Sequence, residues 1–243
     1  MQFIAYIVVL LGLASARKLP SYIQVCRRDD STVGDCVLKN LEVIRPKLAQ
    51  GIPEMSIPSL NPLEIPAATL DSGGSFKADF KNIRVYGGDK FVVKKFDLTV
   101  KDKFHFDLDL YLNDLRIICD YKIDGNILVL RLNGHGLMTA NMTDIVVHVS
   151  TDGKMYDKNG KQHVSFTNSQ VDNLVIKKAR FQLDNIFGDN EQLNVQTNQV
   201  LNDSSEELIK ELTPVITSVT RDIVFGIAEK TLQRYTFDEL FPQ

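Results

Sequence analysis

Between Phe104 and Leu112 the chain reads FHFDLDLYL, and this strict alternation constrains the fold more than any other stretch. Side chains two apart on an extended backbone share a face. Phe104, Phe106, Leu108, Leu110 and Leu112 therefore form one apolar row, and His105, Asp107, Asp109 and Tyr111 form a polar row opposite it. A strand of this kind covers apolar material with one face and meets water with the other. The same grammar runs from Phe76 to Phe187. Strands are expected at Phe91–Val100, Leu115–Ile123, Ile127–Leu132, Met142–Ser150, Gln162–Ser169 and Leu174–Phe187. Asp124-Gly-Asn reads as a hairpin turn, and Asp152-Gly and Asn159-Gly as further turns. Long strands joined by short turns make an antiparallel meander rather than a βαβ fold.

Helical patterns flank the meander, which makes the chain α+β. Val37, Leu38, Leu41, Ile44 and Leu48 recur at helical spacing, with Pro46 as a kink or end and Gly51 and Pro53 as the stop. SIPSLNPLEIP, Ser56 to Pro66, holds three prolines. It is read as an extended surface segment, not as a central strand. At the other end Leu208, Leu212, Val215, Val219, Ile223 and Ile227 form one stripe, broadened by Ile209, Ile216 and Val224. Ser204-Ser-Glu-Glu207 reads as its capping box. From Ser205 to Tyr235 such a helix extends ~45 Å, with Pro214 bending it two turns in. A stripe that broad and long needs an equally long apolar surface opposite, and the meander supplies one.

Compartment follows from the first residues and the cysteines. The apolar run Phe3–Leu13 is too short to span a bilayer and ends in Ala14-Ser15-Ala16, a small-x-small cleavage pattern. Residues 1–16 are read as a secretory signal, leaving 17–243 as a single soluble, extracellular domain with no transmembrane segment. In an oxidising compartment Cys26 and Cys36 are expected to join across a loop of about ten residues, worth roughly 2–4 kcal/mol. Cys119 is then left over: a reactive thiol, a dimer bridge or, the commonest case, a buried small hydrophobe. Asn141-Met-Thr and Asn202-Asp-Ser are glycosylation candidates in a secreted chain. A formal net charge of −3 argues against a nucleic-acid partner.

The chemical motifs are sparse. The four histidines show no metal-ligand spacing, and there is no CxxC, no G-x-S-x-G elbow and no phosphate-cradling glycine loop. His105, Asp107 and Asp109 sit among Lys94, Asp97, Lys101, Lys103 and Asp120, the mixed charge of a solvated sheet exterior. Asn133-Gly-His-Gly136 reads as a bend between two β segments. No catalytic residue, metal or cofactor is assigned. The apolar row is the candidate working surface. Phe96, Leu98, Phe104, Phe106, Leu108, Leu110, Ile117, Cys119, Tyr121, Ile145, Val147, Phe181 and Leu183 from the strands face Leu212, Val215, Val219 and Ile223 from the last helix. They make either a plain core or the lining of a cavity for an apolar guest.

The chain resembles the insect juvenile-hormone-binding and takeout family of secreted carriers over essentially its whole length. The resemblance rests on Cys26 and Cys36-Val37, on SIPSLNPLEIP, and on Tyr121-Lys-Ile-Asp-Gly-Asn-Ile-Leu-Val-Leu with Gly134-His-Gly136. Met142-Thr-Asp-Ile, Leu183-Asp-Asn-Ile-Phe-Gly-Asp-Asn-Glu-Gln-Leu, Asn198-Gln-Val-Leu-Asn202 and the closing Phe237-Asp-Glu-Leu-Phe-Pro242 complete it. It implies a long C-terminal helix wrapped by a highly curved antiparallel sheet, akin to bactericidal/permeability-increasing-type lipid-binding domains. It also implies a tunnel for one elongated hydrophobic ligand. Ser204-Ser205 replaces the family's usual tryptophan and Cys119 has no partner for a second disulfide, which places the chain nearer the takeout branch. The expected function is a monomeric, non-enzymatic haemolymph carrier of juvenile hormone or another terpenoid or fatty molecule, with Tyr121 or His135 as candidates to orient its polar end. The alternative is an extracellular interaction protein with a filled interior, in chemosensory, feeding or circadian signalling.

Overall fold

The computed structural model describes residues 19–29, 31–71, 76–101, 103–127 and 130–243, so the expected signal segment lies outside the described residues. Helix α1, Val33–Leu48, precedes six strands: β1 Leu63–Asp71, β2 Phe76–Tyr86, β3 Val92–Thr99, β4 Phe104–Ile127, β5 Leu130–Lys158 and β6 Lys161–Leu183. Helices α2 Glu191–Asp203, α3 Ser205–Arg234 and the short α4 Phe237–Leu240 close the chain. The strands form one antiparallel sheet in the order β1-β2-β4-β5-β6, with β3 beside β4. This is the meander and long terminal helix that the periodicity predicts. The proline-rich segment is extended, as expected, and runs into β1, an edge strand in which Pro66 falls between the pairs Ile65–Ile83 and Ala67–Lys81. Helix α2 has no counterpart in the apolar pattern. Asp124-Gly-Asn is not a turn but is paired with Arg131–Asn133, the ladder closing only at Ile127 and Leu130.

The strands are longer than the sequence indicates. Phe104–Leu112 and Leu115–Ile123 are one strand of 24 residues, and β5 has 29. At about 3.3 Å per residue β5 has a contour near 95 Å, twice the ~45 Å of α3, so the sheet must curl to stay on the helix. A crease crosses it. The inward residues step from Leu112 to Leu115 in β4, from Met142 to Ile145 in β5 and from Ile176 to Ala179 in β6, three positions rather than two. Asp144 lies in the crease with φ +55°, and the Tyr111 hydroxyl donates to its Oδ1 at 2.7 Å. Further bulges fall at Asn82, Asn168 and Asn173, all at positive φ, where asparagine is tolerated. Asn159 and Gly160 form the expected two-residue turn between β5 and β6. Asp152-Gly153 does not turn: it pairs with Phe104 and His105, and a Cβ on Gly153 would meet the Phe104 ring at 2.6 Å.

Two packed ends bracket the molecule. At one, Phe76, Tyr121, Ile127, Leu132, Leu183, Ile186, Leu201 and Leu208 form a buried cluster. The loop after β6 closes it by crossing β5 so tightly that a Cβ on Gly134 would sit 2.6 Å from Ile186. At the other, Phe104, Val33, Val100, Val164, Phe237 and Phe241 pack around the Cys26–Cys36 disulfide. There residues 26–54 meet residues 235–241. Arg28 pairs with Asp238 at 2.5 Å and stacks on Phe237, and the Tyr235 hydroxyl donates to Glu54 O at 2.8 Å.

Candidate functional site

The interior between the two ends is built from β4, β5 and β6 facing α3. Near the disulfide end its wall is aromatic. The ring centroids of Phe106 and Phe225 lie 6.2 Å apart and those of Phe166 and Phe225 5.6 Å apart, and Phe104 reaches Phe166 at 6.1 Å. Edge and offset arrangements at these distances are favourable beyond simple burial. Next come Leu108 and Leu110 with Val147, Val149, Val171 and Val224. On the two sides of the crease Leu112, Leu115, Ile117, Ile145 and Ile176 meet Ile209 and Ile216. Phe181, Leu183 and Leu212 reach the far cluster around Tyr121.

The burial along this interior is uneven. Val147, Val149 and Ile145 on β5 are buried, yet Phe106, Leu108, Leu110, Leu112 and Ile117 on β4 all retain accessible surface. On α3 only Leu208, Ile209 and Phe225 are buried, and Leu212, Val215, Ile216, Val219 and Ile223 are half-buried. Phe106, Leu108, Leu110 and Leu112 are consecutive on the β4 row, and Leu115, between Leu112 and Ile117, is half-buried as well.

The expected lining residues thus divide. Leu98, Phe104, Phe106, Leu108, Leu110, Ile117, Tyr121, Ile145, Val147, Phe181, Leu183 and Leu212 share the interior clusters. Val215, Val219 and Ile223 belong to none of those clusters. Phe96 and Leu98 lie on β3 beneath α1, where a Cβ on Gly34 would be 3.9 Å from each, and Phe96 borders a surface groove of about 300 Å³ with Leu38, Lys39 and Lys94. Cys119 is 1% exposed, and burial pushes its thiol up to about 11. The Tyr121 hydroxyl, also raised by burial, to about 12, donates to Asp184 O at 2.5 Å. His135 is exposed on the outer side of β5, opposite Lys122, which removes it from any role inside. The polar row is the wet exterior: His105 Nδ1 lies 2.8 Å from Asp152 Oδ1, and His148 Nδ1 2.7 Å from Asp109 Oδ1.

The apolar pattern misses one device that holds this interior shut. Asn198 Oδ1 accepts from Leu183 N and its Nδ2 donates to Leu183 O, both at 2.8 Å. Asn202 does the same to Phe181, again at 2.8 Å. Asn194 Oδ1 accepts from Phe187 N, and its Nδ2 donates to Gly188 O. β6 is a sheet edge, and α2 satisfies its free groups with carboxamides one helical turn apart, as a further strand would. The signal in the sequence is the recurrence of asparagine every fourth residue. Of the two glycosylation candidates, Asn141 is exposed on β5, whereas the Asn202 Nδ2 is engaged by Phe181 O and Asn198 O.

Residues 4–242 match the family described as haemolymph juvenile hormone binding protein. The chain is 25% identical over 232 residues to the circadian clock-controlled protein daywake of Drosophila melanogaster, covering 91% of this chain and 88% of that one. It is 23% identical over 239 residues to daywake of Drosophila yakuba, covering 93% and 90%. Among solved structures, Takeout 1 of Epiphyas postvittana superposes with a TM-score of 0.76 at 21% identity, over 91% of this chain and all of that one, a likeness of fold.

Proposed function

The chain belongs to the haemolymph juvenile hormone binding protein family, and on that premise we propose that it is a secreted, non-enzymatic carrier holding one elongated apolar molecule between α3 and the curled sheet. One observation carries the reading. Between two well-packed ends, the inward rows of β4 and α3 are apolar, face one another and keep accessible surface. A guest that removes that surface from water gains about 0.8 kcal/mol per methylene. For a chain of about fifteen carbons that is on the order of 12 kcal/mol before the costs of ordering are subtracted. The Cys26–Cys36 disulfide and the signal-like first residues support secretion.

The ligand class is terpenoid or fatty, with juvenile hormone the leading candidate. An ester or epoxide inside such walls meets less water and fewer hydrolases. The Tyr121 hydroxyl spends its proton on Asp184 O, so toward a ligand it is an acceptor only, and no charged group is required to hold the guest. The test is a lipid extract of protein purified from its own tissue, followed by saturable binding of radiolabelled juvenile hormone and long-chain probes to the stripped protein. Co-purifying apolar molecules and saturable uptake are expected; an empty protein that takes up none of these probes overturns the reading. The relatives named as circadian clock-controlled support a second reading, a signalling protein that acts through its exterior. Native mass spectrometry separates the two, since only a carrier leaves its tissue with a small molecule inside.

A further inference from the structure

We infer that residues Val215–Phe225, the middle of α3, form a lateral gate through which the ligand passes, opening away from the edge of β6 while both ends of the helix stay fixed. The inference rests on the carrier reading above and adds the route. Seven of these eleven residues are β-branched: Val215, Ile216, Thr217, Val219, Thr220, Ile223 and Val224. Such side chains lose rotamer freedom against the preceding helical turn, so the segment is a weak helix former held in place by its surroundings. Those surroundings hold it loosely, because only Phe225 of the eleven is buried. Breakers bracket it. Pro214 offers no amide to the carbonyl of Lys210 four residues back, and just before it the Thr213 hydroxyl donates to Ile209 O at 2.7 Å. Gly226 follows, with open space where a Cβ would be.

The ends are tied down. Beyond the gate the Glu229 carboxylate accepts from Phe166 N on β6 at 3.0 Å, and Arg234 donates to Ser56 Oγ at 3.1 Å. Before it α2, joined to α3 at Ser204, grips Phe181 and Leu183 through Asn202 and Asn198. From Val215 to Ala228, no side chain of the helix hydrogen-bonds the sheet among the described residues; Ser218, Arg221 and Asp222 bond only to each other. The facing edge of β6 is irregular there, with bulges at Asn168 and Asn173. A weak helical segment without polar ties, between two tied ends and over a bulged edge, is the least costly place to open the interior.

The test uses the full mature chain with the substitutions Pro214→Ala and Gly226→Ala, together and with Gly226→Ala alone in case the proline change alters the bend. A fluorescent polyene fatty acid is the probe. Uptake and release are both expected to slow by roughly fivefold as the helix stiffens, with the equilibrium affinity unchanged within about twofold. Hydrogen exchange of the unsubstituted protein is expected to be faster at 215–225 than at 208–213 or 228–234, and to slow in the variants. Exchange no faster in the middle than at the ends overturns the gate whatever the protein binds. Binding whose rates ignore the substitutions, while exchange at 215–225 does slow, overturns the gate and leaves the carrier intact. Failure of the unsubstituted protein to take up the probe or any other apolar ligand overturns both.

Discussion

A thiol in the middle of β4 shows how this interior treats a polar atom. Cys119 is buried and its thiol is held near 11, so almost none of it is thiolate at neutral pH. Iodoacetamide is expected to leave the native protein unmodified and to label Cys119 once urea unfolds it; rapid labelling under native conditions contradicts the burial. The sign of the linkage follows. Cys119 and Tyr121 both bind their protons more tightly folded than unfolded, so their stabilisation is whole at neutral pH and is lost as pH rises through about 11 and 12. Tyr121→Phe removes the bond to Asp184 O, is expected to cost about 1–2 kcal/mol at neutral pH, and should flatten the alkaline decline in urea midpoint. The asparagines are the second case. Asn198 is 6% exposed, so Asn198→Ala strands the buried N–H and C=O of Leu183, and about 1–3 kcal/mol of lost stability is expected in the same urea titration. The engaged Nδ2 of Asn202 gives a further outcome: mass spectrometry of secreted protein should find no glycan at Asn202.

At the scale of the elements, what was legible in the sequence is what depends on one face meeting one environment. The apolar row of β4 and the stripe of α3 are periodic because burial is one-sided, and both elements formed where the period places them. The strand lengths were hidden because the crease slips each inward row by one residue, so that an unbroken strand imitates two with a turn at Asn113-Asp114. Helix α2 was hidden because its inward face works by carboxamides rather than by apolar burial. The caps were misread for a related reason. Ser204-Ser-Glu-Glu207 has the composition of a capping box, yet Ser204 makes no side-chain cap because the chain arrives there already helical from α2. The box forms instead at Thr236, which accepts from Glu239 N at 3.2 Å while Glu239 accepts from Thr236 N at 2.8 Å. Thr236→Ala is therefore expected to cost about 1 kcal/mol, and Ser204→Ala no more than a few tenths, in thermal or urea unfolding. Equal costs would return the cap to Ser204.

For the whole molecule the decisive quantity is how much of the interior is filled by protein. A solid core and a hollow one answer enlargement in opposite ways. Adding carbons to a close-packed core forces rotamers and backbone aside and costs about 1–3 kcal/mol. Adding them beside empty apolar space restores missing contacts and costs little. Leu110 lies on the inward row between the aromatic end and the crease, keeps accessible surface, and shares its cluster with Val147, Val149 and Phe225. Leu110→Phe in stripped protein is expected to leave the unfolding midpoint unchanged or raise it, and to weaken binding of a long acyl probe at least about tenfold, since a lost methylene contact and a displaced chain each remove close to 1 kcal/mol. Loaded protein supplies the converse. At about 100-fold excess of free ligand over Kd the wild type gains about 2.7 kcal/mol, which for a chain of this size raises Tm by roughly 5–10 °C, and the enlarged variant should gain much less. A filled interior predicts the reverse on each count, with a variant less stable when empty and a wild type whose Tm ignores apolar ligands. The two readings of this family member thus part on one substitution at a position 110 residues into the chain, measured with and without a guest.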